Sequence, residues 1–193
     1  MKKDKILVII NNIIDYCLYG LIFVIPISKA AIEIFAGVMI LSFIAKKTFF
    51  KSSLANKKSW NLTHIFLLCF VVFSGLSFFN SGIHLQMSLR AFVFKWLENF
   101  FIFLIVEDSV IDKKKLRNIL YAFMLSAILV GVSAFSQYFL GLEFLRGRSI
   151  IQIGGKINAV TGPFHYYNEF AVYLVCIMPL TNTAILKGKI HTK

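Results

Sequence analysis

Residues 119–140 read ILYAFMLSAILVGVSAFSQYFL, 22 positions without one charged side chain. A helix needs about 20 mainly apolar residues to cross the hydrocarbon core of a bilayer. The run is preceded by Lys113, Lys114, Lys115 and Arg117 and is followed at once by Gly141. It reads as a membrane-spanning helix with a basic flank. Five further apolar stretches repeat the pattern, giving spans at about 6–27, 30–45, 62–79, 89–106, 119–140 and 168–186.

Composition agrees with a bilayer as the solvent. The 193 residues are 58% hydrophobic, 16% aromatic and 16% charged. Soluble domains sit near 45–50% apolar and about 25% charged, so this chain has more apolar surface than a soluble fold of its size can hide. The expected fold is all-α: one integral membrane domain, 1–193, forming a polytopic bundle of about six helices. The first stretch begins with Lys2, Lys3 and Lys5, and Ser28-Lys29-Ala30 faintly matches a small-residue cleavage site. Its apolar part is too long for an ordinary signal core and another apolar segment follows immediately, so it reads as an uncleaved span.

The net charge of +12 would point to nucleic acid in a soluble protein. Here the basic residues stand in clusters between apolar runs, and no nucleic-acid partner is expected. With six spans, fifteen of the 21 basic residues fall on the N-terminal side of the membrane. Lys29, Arg90, Arg146, Arg148 and Lys156 fall on the other side, and Lys95 lies within a span. Cytoplasmic loops carry the excess of Lys and Arg, so both termini are expected in the cytoplasm and the long 141–167 loop outside.

Cys17, Cys69 and Cys176 all lie in apolar segments without a CxxC neighbour, which reads as small buried hydrophobes rather than a disulfide or zinc framework. His64 and His84 sit near loops and are expected to be solvated. Glu33 is expected at an interface, and Asn11, Asn12 and Asp15 form a weaker polar set. No motif of a soluble enzyme is present, and no metal or cofactor is expected.

Two features stand out as candidate sites. The fourth span, SLRAFVFKWLENFFIFLIVED (88–108), carries Arg90, Lys95 and Glu98 in an apolar setting. A charge at the bilayer centre costs about 2.5–3.5 kcal/mol on insertion scales. Lys95 and Glu98, three apart on a helix, share a face and read as an intramembrane polar pair. Arg90 alone could snorkel to the interface. The second feature is the outer loop, with Arg146, Arg148 and Lys156, where arginine forks suit phosphate oxygens or simply face solvent. It ends in TGPFHYYNEFAVYL (161–174), where Gly-Pro breaks the chain, Phe164, Tyr166 and Tyr167 suit an aromatic belt, and Asn168 is placed to cap a helix with Glu169 in its first turn.

The segment KINAVTGPFHYYNEFAVYLVCIMPL (156–180) resembles the junction of the O-antigen ligase and O-antigen polymerase family, through Gly162, Phe164, Asn168, Ala171 and Pro179-Leu180. The helix with Arg90, Lys95, Trp96 and Glu98, and Pro26-Ile27-Ser28 at the end of the first span, look similar to the same family. The family often places an arginine a few positions before Gly-x-Phe, whereas the nearest basic residue here is Lys156. The resemblance implies a membrane component of surface polysaccharide and lipopolysaccharide biosynthesis in the bacterial inner membrane. Such enzymes transfer or polymerise glycans carried on undecaprenyl pyrophosphate, in some cases onto a lipid A-core acceptor, without metal. Arg90, Arg146, Arg148 and Lys156 would then hold the pyrophosphate, and His165 is the outward histidine beside the motif. Family members carry about twice as many spans, so the chain is expected to match the N-terminal half of such a protein. The alternatives are a non-catalytic transport or structural membrane protein, and a truncated chain inactive by itself.

Overall fold

The structure, a computed structural model, describes residues 2–50, 61–76, 85–109, 112–153 and 157–190. Helices dominate: α1 (Lys2–Val24), α2 (Lys29–Phe49), α3 (Leu62–Leu76), α4 (Leu85–Ala91), α5 (Glu98–Ser109), α6 (Lys113–Leu140) and α7 (Tyr167–Ile190). A π-helical segment, Phe92–Leu97, joins α4 to α5 without a break. The fold is mainly helical, in keeping with the all-α expectation, with one small addition. The 141–167 loop carries an antiparallel hairpin, β1 (Ile151–Ile153) and β2 (Ile157–Ala159), pairing Ile151 with Ala159 and Ile153 with Ile157.

Asp4–Val24 and Lys113–Leu140 are long and apolar enough to cross a membrane, and α3 is apolar but only 15 residues long. Six spans were expected, and the described residues supply these two. The stretch read as a short span at 30–45 is a 21-residue helix, whose last turn includes Lys46 and Lys47. The stretch read as one α-helix at 89–106 contains the π-helical segment instead, and residues 77–79 of the third stretch lie outside the described residues.

Local signals explain the boundaries. Pro26 lacks a backbone donor, and α1 ends just before it. Ser28 then caps α2, its Oγ accepting the Ala31 N–H at 3.3 Å. Gly141, Gly147 and Gly162 have φ of 76°, 66° and 54°. That left-handed region is open to glycine at little steric cost.

The chain divides into two compact units: Met1–Leu18 with Ile34–Lys113, and Tyr19–Glu33 with Lys114–Lys193. In the first, α2 buries Ala36, Met39 and Phe43 at helical spacing. The α3 helix meets the π-helical segment, with Phe70 edge-on to Trp96 at 4.9 Å and the Phe92 ring against Gly75.

In the second unit, α6 buries Ile119, Ser126, Val130, Ser133 and Gln137 along one stripe, while Leu125, Ile128, Val132, Phe135 and Phe139 are exposed. Three of these five buried side chains are polar and the exposed face is apolar, unlike a water-facing helix. Val130, Tyr173 and Ile177 form the core, with Phe123, Ala127, Phe164 and Phe170 around it. Ser126 Oγ pairs with Tyr173 Oη at 2.8 Å and reaches the Phe23 carbonyl at 3.3 Å.

Gln137 joins α6 to the loop that follows. Its Oε1 accepts the N–H of Thr161 at 2.8 Å and of Gly162 at 2.9 Å. Its Nε2 donates to the Ser149 carbonyl at 3.0 Å, with Thr161 Oγ1 and the Arg148 carbonyl at 3.3 and 3.4 Å. Leucine there would strand two buried N–H groups. Gln137→Leu should therefore destabilise the second unit by about 3 kcal/mol, read as unfolding in mild detergent with faster amide exchange at Thr161 and Gly162. Unchanged exchange at those two amides would show that Gln137 does not hold the junction.

Candidate functional site

The loop after α6 is built on a buried carboxylate. Glu143 is fully buried. Its carboxylate accepts the Ser133 hydroxyl at 2.5 Å and the N–H groups of Leu145 and Arg146 at 2.6 and 2.7 Å. The backbone closes on itself: Glu143 N–H donates to the Arg148 carbonyl at 2.8 Å, and Gly147 N–H to the Glu143 carbonyl at 2.9 Å. The left-handed Gly147 makes this return possible and leaves Arg146 and Arg148 on either side of it.

The two arginines do different things. Arg146 is exposed, and its Nε donates to the Ile27 carbonyl at 2.7 Å, just beyond the end of α1. Arg148 is half-buried, and its Nη1 is buried without a hydrogen-bond partner among the described residues. An unpaired buried polar group is costly, more so when it is charged. Such a donor calls for an anion or an ordered water.

Beside this loop lies an open groove of about 460 Å³, lined by Gly131, Ala134, Phe135, Tyr138, Phe139, Val160, Phe170 and Leu174. Its wall is almost wholly apolar. Small residues on α6 form part of the lining and aromatic rings stand around them. The groove and the arginine turn share a scaffold, because Gln137 precedes Tyr138 and holds Thr161, next to Val160.

Gly162 and Phe164 both belong to this scaffold. Gly162 is held by Gln137 and sits against Ala134 and the Phe170 ring, and Phe164 packs on Phe170 and Tyr173. Asn168 does not cap α7 as expected. The helix starts one residue earlier, and Glu169 takes the capping role by accepting the N–H of His165 at 3.2 Å and of Tyr166 at 3.4 Å. Asn168 is exposed in the first turn, and His165 is exposed against Tyr166.

The expected pyrophosphate cations are divided. Arg146 and Arg148 share one turn in the second unit, Arg90 belongs to the first, and Lys156 lies outside the described residues. Lys95 is exposed and Glu98 half-buried, and the π-helical segment between Arg90 and Glu98 changes which residues share a face. Among the cysteines, Cys17 is buried as expected, but Cys69 and Cys176 are exposed. Both lie on helices whose outward faces are apolar, so their apolar setting did not imply burial.

His64, expected to be solvated, is buried at the start of α3. Its Nδ1 accepts the Asn61 N–H at 3.2 Å and its Nε2 pairs with the Glu107 carboxylate. Next to it in sequence, Asp108 receives Lys46 at 2.7 Å and Lys47 at 2.8 Å, tying α2 to α5. His84 lies outside the described residues. Sequence reasoning passed over Gln137, Glu143, Glu107 and Asp108. The available signal was one amide in an uncharged span and carboxylates at span ends facing basic clusters.

Comparison of the chain with family models, with curated proteins and with solved structures finds no match in any of the three.

Burial pushes the Asp108 carboxyl up, but the hydrogen bonds and charges of Lys46 and Lys47 outweigh it and hold the group below the ordinary aspartate value. A carboxyl lowered on folding contributes stability that is complete above its unfolded pKa and disappears as pH falls through the folded pKa. Asp108→Asn should therefore lower thermal stability at neutral pH. The deficit should shrink below the ordinary aspartate range, as melting curves across pH will show. A deficit independent of pH would remove the ion pair as its cause.

Proposed function

We propose that this chain is a multi-pass inner-membrane component of bacterial surface polysaccharide biosynthesis. It acts in the manner of enzymes that transfer or polymerise undecaprenyl-pyrophosphate-linked glycans, with both termini in the cytoplasm and the 141–167 loop outside. The observation that carries the reading is the buried Nη1 of Arg148, without a hydrogen-bond partner among the described residues, on a loop that also contributes to an apolar, lipid-sized groove. A polyprenyl pyrophosphate presents the two matching chemistries, an anionic head and a long apolar tail.

Further support comes from α6, with its exposed apolar face and its buried Ser126, Ser133 and Gln137, and from the distribution of basic residues along the sequence. In this reading Arg148 donates to a pyrophosphate oxygen, helping to hold the leaving group and stabilise the charge that grows on it. Arg146 braces the turn against the end of α1. Glu143 and Gln137 fix the backbone from which Arg148 projects. No described side chain is assigned as the base that activates the acceptor.

Two measurements test this. Arg148→Ala should bind undecaprenyl pyrophosphate about 10- to 100-fold more weakly than the parent chain in nanodiscs. Arg148→Lys should recover only part of the loss, because an ammonium lacks the planar fork. Equal affinity in all three would overturn the assignment. For orientation, a cysteine placed at Ser149 should be labelled by an impermeant maleimide in intact spheroplasts, whereas labelling only after lysis would reverse the topology.

A further inference from the structure

The π-helical segment was not anticipated, and it reorganises the charges of its helix. The Glu98 N–H donates to the Val93 carbonyl, an i→i+5 bond, so the turn holds more residues than an α-turn. On an α-helix, side chains three or four apart share a face and those five apart do not. The wider turn swings Lys95 toward the face of Arg90, five positions before it, and away from Glu98. One turn further on, Asn99 sits over Lys95, its Nδ2 donating to the Lys95 carbonyl at 2.5 Å.

Arg90, Lys95 and Asn99 are all exposed. Phe92 and Trp96 face the other way, against Gly75 and Phe70 of α3. Among the described residues no carboxylate or other acceptor meets the Arg90 or Lys95 side chain, and exposed apolar residues next to them include Leu89, Val93 and Phe94. Two like charges turned toward one face in apolar surroundings repel each other and are costly unless an anion lies between them.

We propose that Arg90, Lys95 and Asn99 form a binding site, shaped by the π-helical turn, for the phosphate headgroup of an anionic phospholipid. The cations take the phosphate oxygens, the Asn99 amide adds a polar rim, and Val93 and Phe94 lie along the acyl chains. A lipid fits better than a soluble phosphate because the flanking exposed side chains are apolar. The assignment rests on this helical run lying in a bilayer and is independent of the glycan reading.

The test uses the full chain in nanodiscs of equimolar phosphatidylglycerol and phosphatidylcholine, with retained lipids counted by native mass spectrometry. The parent chain should hold phosphatidylglycerol in preference. Arg90→Gln with Lys95→Gln should lose about 30-fold in that preference, and Lys95→Met about 5-fold. Lys95→Met removes a charge from an apolar setting and so remains readable if the double variant fails to fold. Arg148→Ala should keep the preference, which separates this site from the pyrophosphate site. No preference in the parent, an unchanged preference in both Arg90/Lys95 variants, or complete stripping of the bound lipid by inorganic phosphate would each overturn the proposal.

Discussion

The carboxamide of Gln137 is the contact on which the second unit depends. It lies fully buried on a mainly apolar stretch of α6, and both of its ends are used. The oxygen takes two consecutive N–H groups at Thr161 and Gly162, while the nitrogen donates into the arginine turn at Ser149. A carboxylate has acceptors but no donors, and an ammonium has donors but no acceptor. Only a group with both can tie the two ends of the loop to one point on α6. The hairpin, Gly162 and the start of α7 follow from that constraint.

Glu143 performs a related task three residues past the end of α6. Burying a carboxylate is costly unless its oxygens are satisfied. Here the Ser133 hydroxyl and two backbone N–H groups satisfy them. The turn that results is rigid at its base and carries Arg148 beside it. The loop is thus a braced structure, with its polar anchors on the buried stripe of α6 and the apolar groove on that helix's flank. One helix supplies both the fastening and the lipid-shaped surface.

The run at 119–140 was legible because 22 mainly apolar residues without a charge admit few alternatives. Gly162 was legible as a break and proved to need the left-handed conformation. Other features were hidden by the rules used to read them. The Lys95–Glu98 pairing assumed a regular α-helix, and no local residue signal marks FVFKWL as π-helical; its packing against Phe70 and Gly75 is tertiary. Asn168 was the natural cap by residue type, yet Glu169 reaches back from the next position. His64 looked solvated because it follows a polar segment, but Glu107, 43 positions away, covers it.

The sequence by itself determined that the chain is mainly helical, where its long uncharged span runs, and that its cations cluster between apolar stretches. These are consequences of composition and spacing, which act over one or two turns. Tertiary structure alone decided which cations have partners. Lys46 and Lys47 are spent on Asp108, Arg146 on a backbone carbonyl, and Arg148 keeps a buried donor unpaired among the described residues. The physical reason is range. Burial and hydrogen-bond pairing depend on atoms brought together from positions as far as 119 residues apart, and no local pattern encodes them.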